Sequence, residues 1–146
     1  MSGRTRSLVG LLVVIAGLGS SAPGVDAAKT VTSGAYSCTV TAVAPSLSKT
    51  TLTARATVYC TVATSVSVEI GAVEFDGTTQ TQIITQTLRS ITVKARTNTA
   101  VSVAGACRDS DPGEKEEYAS KVMIRFGTSA WSAYDLTVPA TNAYAC

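Results

Sequence analysis

Apolar and polar residues alternate along most of this chain, and the alternation restricts it to a fold made of β-strands. In segment 51–60, one side of the pattern carries Leu, Ala, Val and Cys60, and the other carries Thr, Arg55 and Tyr59. Successive side chains of a strand point to opposite faces, so this pattern is typical of a half-buried strand in an antiparallel sheet. The helical period of 3.6 is weak from Ser37 onward.

Similar runs recur and are separated by turn-forming residues. Segment 45–49 predicts a hairpin loop, Asp76-Gly77 a tight turn, and Gly71, where the alternation changes phase, a β-bulge. We predict an all-β, two-sheet antiparallel sandwich with immunoglobulin-like topology favoured, and a small β-barrel as the alternative. The predicted strands cover about 36–43, 51–61, 66–75, 80–88, 91–95, 99–107, 118–126 and 131–138.

Residues 1–27 have the pattern of a secretory signal peptide. Arg4 and Arg6 precede a short apolar run, and small residues around Ala27 mark the expected cleavage site. The run is shorter than the roughly 20 residues that span a bilayer. We therefore expect a secreted, extracellular protein in which 28–146 form a single β-sandwich domain without stable membrane insertion.

The four cysteines all follow this signal, which predicts two disulfides in an oxidising compartment. If strands 36–43 and 51–61 form a hairpin, Cys38 lies near Cys60. The remaining pair would fix the C-terminal end of the chain. We predict the pairs Cys38–Cys60 and Cys107–Cys146, while the crossed pairings stay open.

The chain contains no histidine, which removes the side chain on which most acid/base and zinc chemistry relies. No two cysteines have the C-x-x-C spacing of redox motifs, and the net charge of +2 is too small to indicate nucleic-acid binding. The carboxylate pairs Glu114/Glu117 and Glu69/Glu74 are the candidates for glycoside hydrolysis, but a small domain with few aromatics offers little cleft for a sugar. We expect no enzymatic activity, no cofactor and no metal.

An acidic loop is the candidate binding site in the sequence. It places five carboxylates within nine residues, next to Arg108 and Lys115. Calcium prefers such oxygen ligands, but the spacing does not match an EF-hand loop, and we favour a solvated loop between two strands as the explanation. The candidate binding residues are Asp109, Asp111, Glu114, Glu116 and Glu117.

The aromatic residues give a weaker indication. Trp131 is expected to be the buried core aromatic of the sandwich, and Tyr134, three residues later in a predicted strand, is expected to face the other way. The leading interpretation is a secreted, non-enzymatic binding domain that presents loops or a Thr-rich sheet face to a protein, glycan or surface. A small-molecule carrier and an inhibitor of an exported enzyme are the alternatives.

The signal and cysteine assignments predict the mass of the exported protein. Protein recovered from culture medium should begin at Ala28 and take up no alkylating reagent without prior reduction, because all four thiols are paired. Intact-mass spectrometry checks both points. Retention of residues 1–27, or alkylation of two or four thiols, would contradict the assignment.

Overall fold

The computed structural model describes residues 28–108, 116–137 and 143–144, and these residues contain two antiparallel sheets and no helix. One sheet has the strand order β1-β2-β3-β6, and the other has the order β5-β4-β7-β8, with β9 also paired to β7. The strands are β1 Lys29–Ser33, β2 Tyr36–Ser48, β3 Thr51–Cys60, β4 Thr64–Asp76, β5 Thr79–Val93, β6 Thr99–Ala106, β7 Glu116–Arg125, β8 Asp135–Leu136 and β9 Ala143–Tyr144.

The core lies between the two sheets and follows the alternation in the sequence. Every second residue of β3 is buried, from Leu52 to Cys60. These side chains share one core cluster with Val68 and Ile70 of β4 and Val122 of β7. The prediction of an all-β fold with two antiparallel sheets is confirmed. The sheets are open, so the alternative of a barrel is wrong, and the immunoglobulin-like topology stays a prediction.

The disulfide between Cys38 and Cys60 is confirmed. The two residues are directly opposite each other in the β2–β3 register, with their Cα atoms 4.1 Å apart. The bond closes a loop of 22 residues, which stabilises a fold by about 3 kcal/mol in the chain-entropy model. Cys107 is disulfide-bonded as well. Its predicted partner, Cys146, lies outside the described residues, so that pairing stays a prediction.

Some strand boundaries differ from the predicted ones for identifiable reasons. The segments predicted at 80–88 and 91–95 form the single strand β5, because the intervening Arg89 and Ser90 are polar but do not break a strand. Strand β2 continues past Pro45 to Ser48 through a register shift between Val43 and Ser46. A bulge is one of the places where a sheet accepts proline. Strand β1 was not predicted.

A bulge lies at Gly71 as predicted, but its extra residue is in β5, and β4 itself keeps its alternation, so the predicted change of phase is wrong. Ile70 pairs with Thr87 and Ala72 pairs with Ile84, so Gly71 faces two residues of β5. A Cβ atom on Gly71 would lie 2.6 Å from the carbonyl oxygen of Ile84 and 3.1 Å from Cγ of Gln86. Glycine is required here because the backbone of β5 comes too close for any side chain.

Replacing Gly71 with alanine should therefore lower the free energy of unfolding by about 2 kcal/mol, since the obstacle is backbone. The matched control is Gly105→Ala, whose added Cβ would meet side-chain atoms of the same residue, Ile84, with Cγ1 nearest at 3.1 Å. Because a side chain can shift, the free energy of unfolding should fall less in Gly105→Ala than in Gly71→Ala. Urea unfolding measures both, and equal stability of Gly71→Ala and wild type would contradict the close approach.

Candidate functional site

The structure reaches only part of the acidic loop. Asp109, Asp111 and Glu114 lie outside the described residues. The backbone of Glu116 begins β7, and Glu117 follows it as an exposed residue paired with Phe75 of β4. Within the described ranges, no group of three or more Cys, Asp or Glu residues is placed to hold a metal ion. The binding role of this loop stays a prediction.

The carboxylates of Glu69 and Glu74 do not form a catalytic pair. They lie five residues apart in β4, so their side chains leave opposite faces of the sheet. Glu74 is paired with the core residue Tyr118 and is buried, whereas Glu69 is paired with Met123 on the outer face. The sheet itself separates the two groups.

Two buried polar side chains join the sheets near the bulge of β2. The Oδ2 atom of Asp135 in β8 accepts a hydrogen bond from the backbone N–H of Ala42 at 2.6 Å. The Oγ atom of Ser120 in β7 accepts one from the backbone N–H of Arg55 at 3.0 Å. Buried backbone donors need such partners, so both side chains have a structural explanation.

The outer face of the five-stranded sheet carries a cluster of aromatic and cationic side chains. The guanidinium carbon of Arg125 lies 4.3 Å from the centre of the Trp131 ring, and the ammonium nitrogen of Lys121 lies 4.2 Å from that of Tyr134. Both distances are within the range of cation–π attraction. We call this surface the aromatic–cation face, and it consists of Gln86, Lys121, Met123, Arg125, Trp131 and Tyr134.

The alternation of β7 explains one half of this face. Val122 and Ile124 point into the core, so Lys121, Met123 and Arg125 point outward. Met123 is only 9% exposed although it is on the outer side. Three outward side chains of one strand therefore combine two cations with an apolar residue between them.

The chain after β7 supplies the other half. It turns at Gly127, which has a positive φ of 46°. Ser132 then donates its N–H to the carbonyl of Ile124 at 2.9 Å, and its Oγ accepts the N–H of Ile124 at 3.1 Å. These bonds hold the irregular segment 131–134 beside β7. The hydroxyl of Tyr134 donates to Oε1 of Gln86 at 3.1 Å, which ties the segment to β5.

The prediction that Trp131 is the core aromatic is wrong. Trp131 is half-buried, is not part of the core cluster, and stacks on Arg125 instead. The expected opposite orientation of Tyr134 is also wrong, because residues 131–134 are not in a strand and both rings contact cations of the same β7 face. The alternation of β7 places Lys121 and Arg125 on the outward side, and this pattern in the sequence could have indicated that cations were available to stack on the two rings.

The outer face of the four-stranded sheet has a different character. Its paired positions include Thr41 with Thr57 and Thr39 with Tyr59, and Arg55 lies on the same side of β3. Tyr59 is 39% exposed. This Thr-rich face has short side chains, and the cation–π pairs found in the described residues are on the other sheet. We therefore take the aromatic–cation face as the candidate site.

A large apolar side chain lies at the border of the aromatic–cation face. Leu88 of β5 is 55% exposed, and it pairs with Glu69, which in turn pairs with Met123. These three residues form one row across the outer surface of the sheet. The row extends the aromatic–cation face toward the edge strand β5.

No protein-family model matches the chain, and no curated protein matches it. Among solved structures, the chain is similar to a DUF1425 family member from Shewanella sp. pv-4, with 15% identity and a TM-score of 0.43. The match covers 69% of this chain and 90% of that one. In the described residues, no helix is long and apolar enough to cross a membrane.

Removing the guanidinium that stacks on the single tryptophan should expose its ring. We expect Arg125→Ala to increase acrylamide quenching of Trp131 fluorescence and to lower the free energy of unfolding by about 1 kcal/mol. Arg55→Ala, on the Thr-rich face, is the control and should leave quenching unchanged. Equal quenching of Arg125→Ala and wild type would contradict the stacking.

Proposed function

We propose that this protein is an exported, non-enzymatic binding domain that engages a protein or glycan partner through its aromatic–cation face. One observation carries the proposal: the single tryptophan is placed on a sheet surface and stacked on Arg125 instead of filling the core. A large aromatic side chain contributes more to stability inside a core, so its surface position favours a role in contact with a partner.

The composition of the face supports this role. Trp, Tyr, Arg and Met are the residues enriched at the centres of protein interfaces, and Trp, Tyr and Arg dominate their binding energy. Aromatic rings also stack on the apolar faces of sugars. The face combines Trp131, Tyr134, Arg125 and Met123 within one surface, with the exposed Leu88 at its border.

The fixed geometry of the face supports the proposal as well. Tyr134 is held by Lys121 and by its hydrogen bond to Gln86, and Trp131 is held by Arg125. Side chains ordered before binding lose less conformational entropy when a partner arrives, which improves affinity. Lys121 and Arg125 stack on the two rings of this face, so acidic groups on the partner are favoured near them.

Export is the second part of the proposal. The Cys38–Cys60 disulfide is compatible with an extracellular or periplasmic location, because such bonds persist in oxidising compartments. The signal-like pattern of residues 1–27 extends this to secretion as a prediction from the sequence. The immunoglobulin-like topology belongs to the same proposal, since adhesion and recognition modules often use sandwich scaffolds.

A second candidate function is inhibition of an exported enzyme by the acidic loop. The observation that favours it is the anchoring at the base of the loop. Cys107 is disulfide-bonded and donates its N–H to the carbonyl of Thr50 at 2.8 Å. The hydroxyl of the buried Tyr118 donates to the carbonyl of Arg108 at 2.6 Å. Rigid ends reduce the entropy cost of presenting a loop to an enzyme.

A binding screen with matched variants tests the proposal. Wild-type protein is applied to a glycan array and to immobilised proteins of the culture medium, followed by Trp131→Ala and Tyr59→Ala. We expect Trp131→Ala to weaken any captured interaction about tenfold or more, the usual effect at an interface centre. Tyr59→Ala, on the opposite sheet, should bind like wild type.

The same screen separates the two functions. Asp109→Asn combined with Asp111→Asn should leave binding through the aromatic–cation face nearly intact, and should abolish it if the acidic loop is the contact. Full retention of binding by Trp131→Ala would contradict the proposed function.

A further inference from the structure

Both cations of the aromatic–cation face lack a carboxylate partner in the described part of the chain. There, neither Lys121 nor Arg125 forms an ion pair or donates a side-chain hydrogen bond. The Nε atom of Arg125 is buried without an acceptor. A guanidinium held by ring stacking alone keeps its terminal N–H groups for a partner, and two parallel N–H groups fit a carboxylate.

The acid placed between the two cations does not neutralise them. Glu69 is paired with Met123, which separates Lys121 from Arg125 along β7. Glu69 is therefore diagonal to both cations, at roughly 7–8 Å between Cα atoms. A carboxylate at this distance leaves the donors of both cations unoccupied, but it repels an anionic ligand that approaches them.

The centre of the face offers a partner little aliphatic surface. Met123 lies between the cations but is only 9% exposed. Trp131 and Tyr134 are half-buried, so the face presents the exposed parts of two rings and the ends of two cations. Protein interfaces usually bury apolar anchors in a dry centre. A sugar needs only the flat surface of a ring for its own apolar face.

The polar groups beside the rings can bond sugar hydroxyls. The Tyr134 hydroxyl donates its proton to Oε1 of Gln86, so the Tyr134 oxygen can still accept a hydrogen bond. The side-chain amide of Gln86 still has its N–H groups to donate, since none of them is bonded within the described ranges. A sugar hydroxyl both donates and accepts, so it complements this pair.

The spacing of the two cations favours an extended ligand. Lys121 and Arg125 are four residues apart in β7, which places their Cα atoms about 13 Å apart along the strand. A single small anion can reach one of them. A chain of several acidic sugar units can place a carboxylate at each, and such repeated contacts raise the affinity.

We propose that the aromatic–cation face binds an acidic oligosaccharide built of uronic-acid units. Its carboxylates pair with Arg125 and Lys121, and its sugar rings stack on Trp131 and Tyr134. This inference rests on the proposed function and specifies the chemistry of the partner. An acidic protein segment would supply the charges but would leave the two ring surfaces without sugar rings to cover them.

Calorimetric titration with uronate oligosaccharides tests the inference. The probes are oligomers of galacturonate, mannuronate and hyaluronan, each compared with its methyl ester, which keeps the sugar and removes the charge. We expect at least one acid form to bind, and its methyl ester to bind about tenfold more weakly, because charge-assisted hydrogen bonds are lost. Added salt should weaken binding of the acid form.

Matched variants locate the binding on this face. Arg125→Gln should weaken binding of the acid form about tenfold, whereas Arg55→Gln, with the same loss of charge on the Thr-rich face, should bind like wild type. Glu69→Gln keeps the shape of the side chain and removes the repulsion, so it should bind about twofold more tightly. A gain in affinity cannot come from unfolding.

The outcomes separate this inference from the proposed function. Binding of no acid form, equal affinity for an acid form and its methyl ester, or unchanged affinity in both Arg125→Gln and Glu69→Gln would overturn the inference. The proposed function would stand in those cases if Trp131→Ala loses capture of a neutral glycan or a protein. Full retention of uronate binding by Trp131→Ala would contradict both.

Discussion

The hydrogen bond from Ala42 to Asp135 is the constraint on which the arrangement of the C-terminal half depends. The carboxylate is 2% exposed and reaches from β8 in one sheet to the backbone of β2 in the other. A polar group buried this deeply is costly unless it is hydrogen-bonded, so this contact is strongly favoured. Asp135 therefore fixes which side of β8 points inward. Segment 131–134, which precedes β8, is held beside β7 by the two Ser132–Ile124 hydrogen bonds, and its rings lie on the outer face of the sheet.

The bulge in β2 is the reason that a polar group is needed there. The register of β2 against β3 shifts between Val43 and Ser46, beside Pro45, which has no N–H to offer. Ala42 and Arg55 lie next to this shift, and their N–H groups bond to Asp135 and Ser120 across the core. The register shift in one sheet is therefore accompanied by two polar side chains of the other sheet, which accept hydrogen bonds from the nearby backbone N–H groups.

Much of the fold follows from local pattern, and the candidate site does not. The alternation of β3, the bulge at Gly71 and the Cys38–Cys60 pair were predictable because each depends on neighbours within one hairpin or strand. The position of Trp131 depends on the bonds of segment 131–134 to β7 and on the bond from Tyr134 to Gln86, which is 48 residues away in sequence. Tryptophan is usually a core residue, so the sequence predicted a buried position for Trp131, and that prediction was wrong. Contacts of this range leave little trace in a single sequence.

The central claim is that the bond from Ala42 to Asp135 anchors β8 and thereby supports the adjoining segment that holds Trp131 on the outer surface, and Trp131 fluorescence in Asp135→Ala tests it most directly. The account predicts increased acrylamide quenching of Trp131 in a variant whose far-ultraviolet circular dichroism still shows the sheets, with a smaller change in Asp135→Asn, which keeps an oxygen acceptor. Unchanged quenching in a folded Asp135→Ala variant would contradict it.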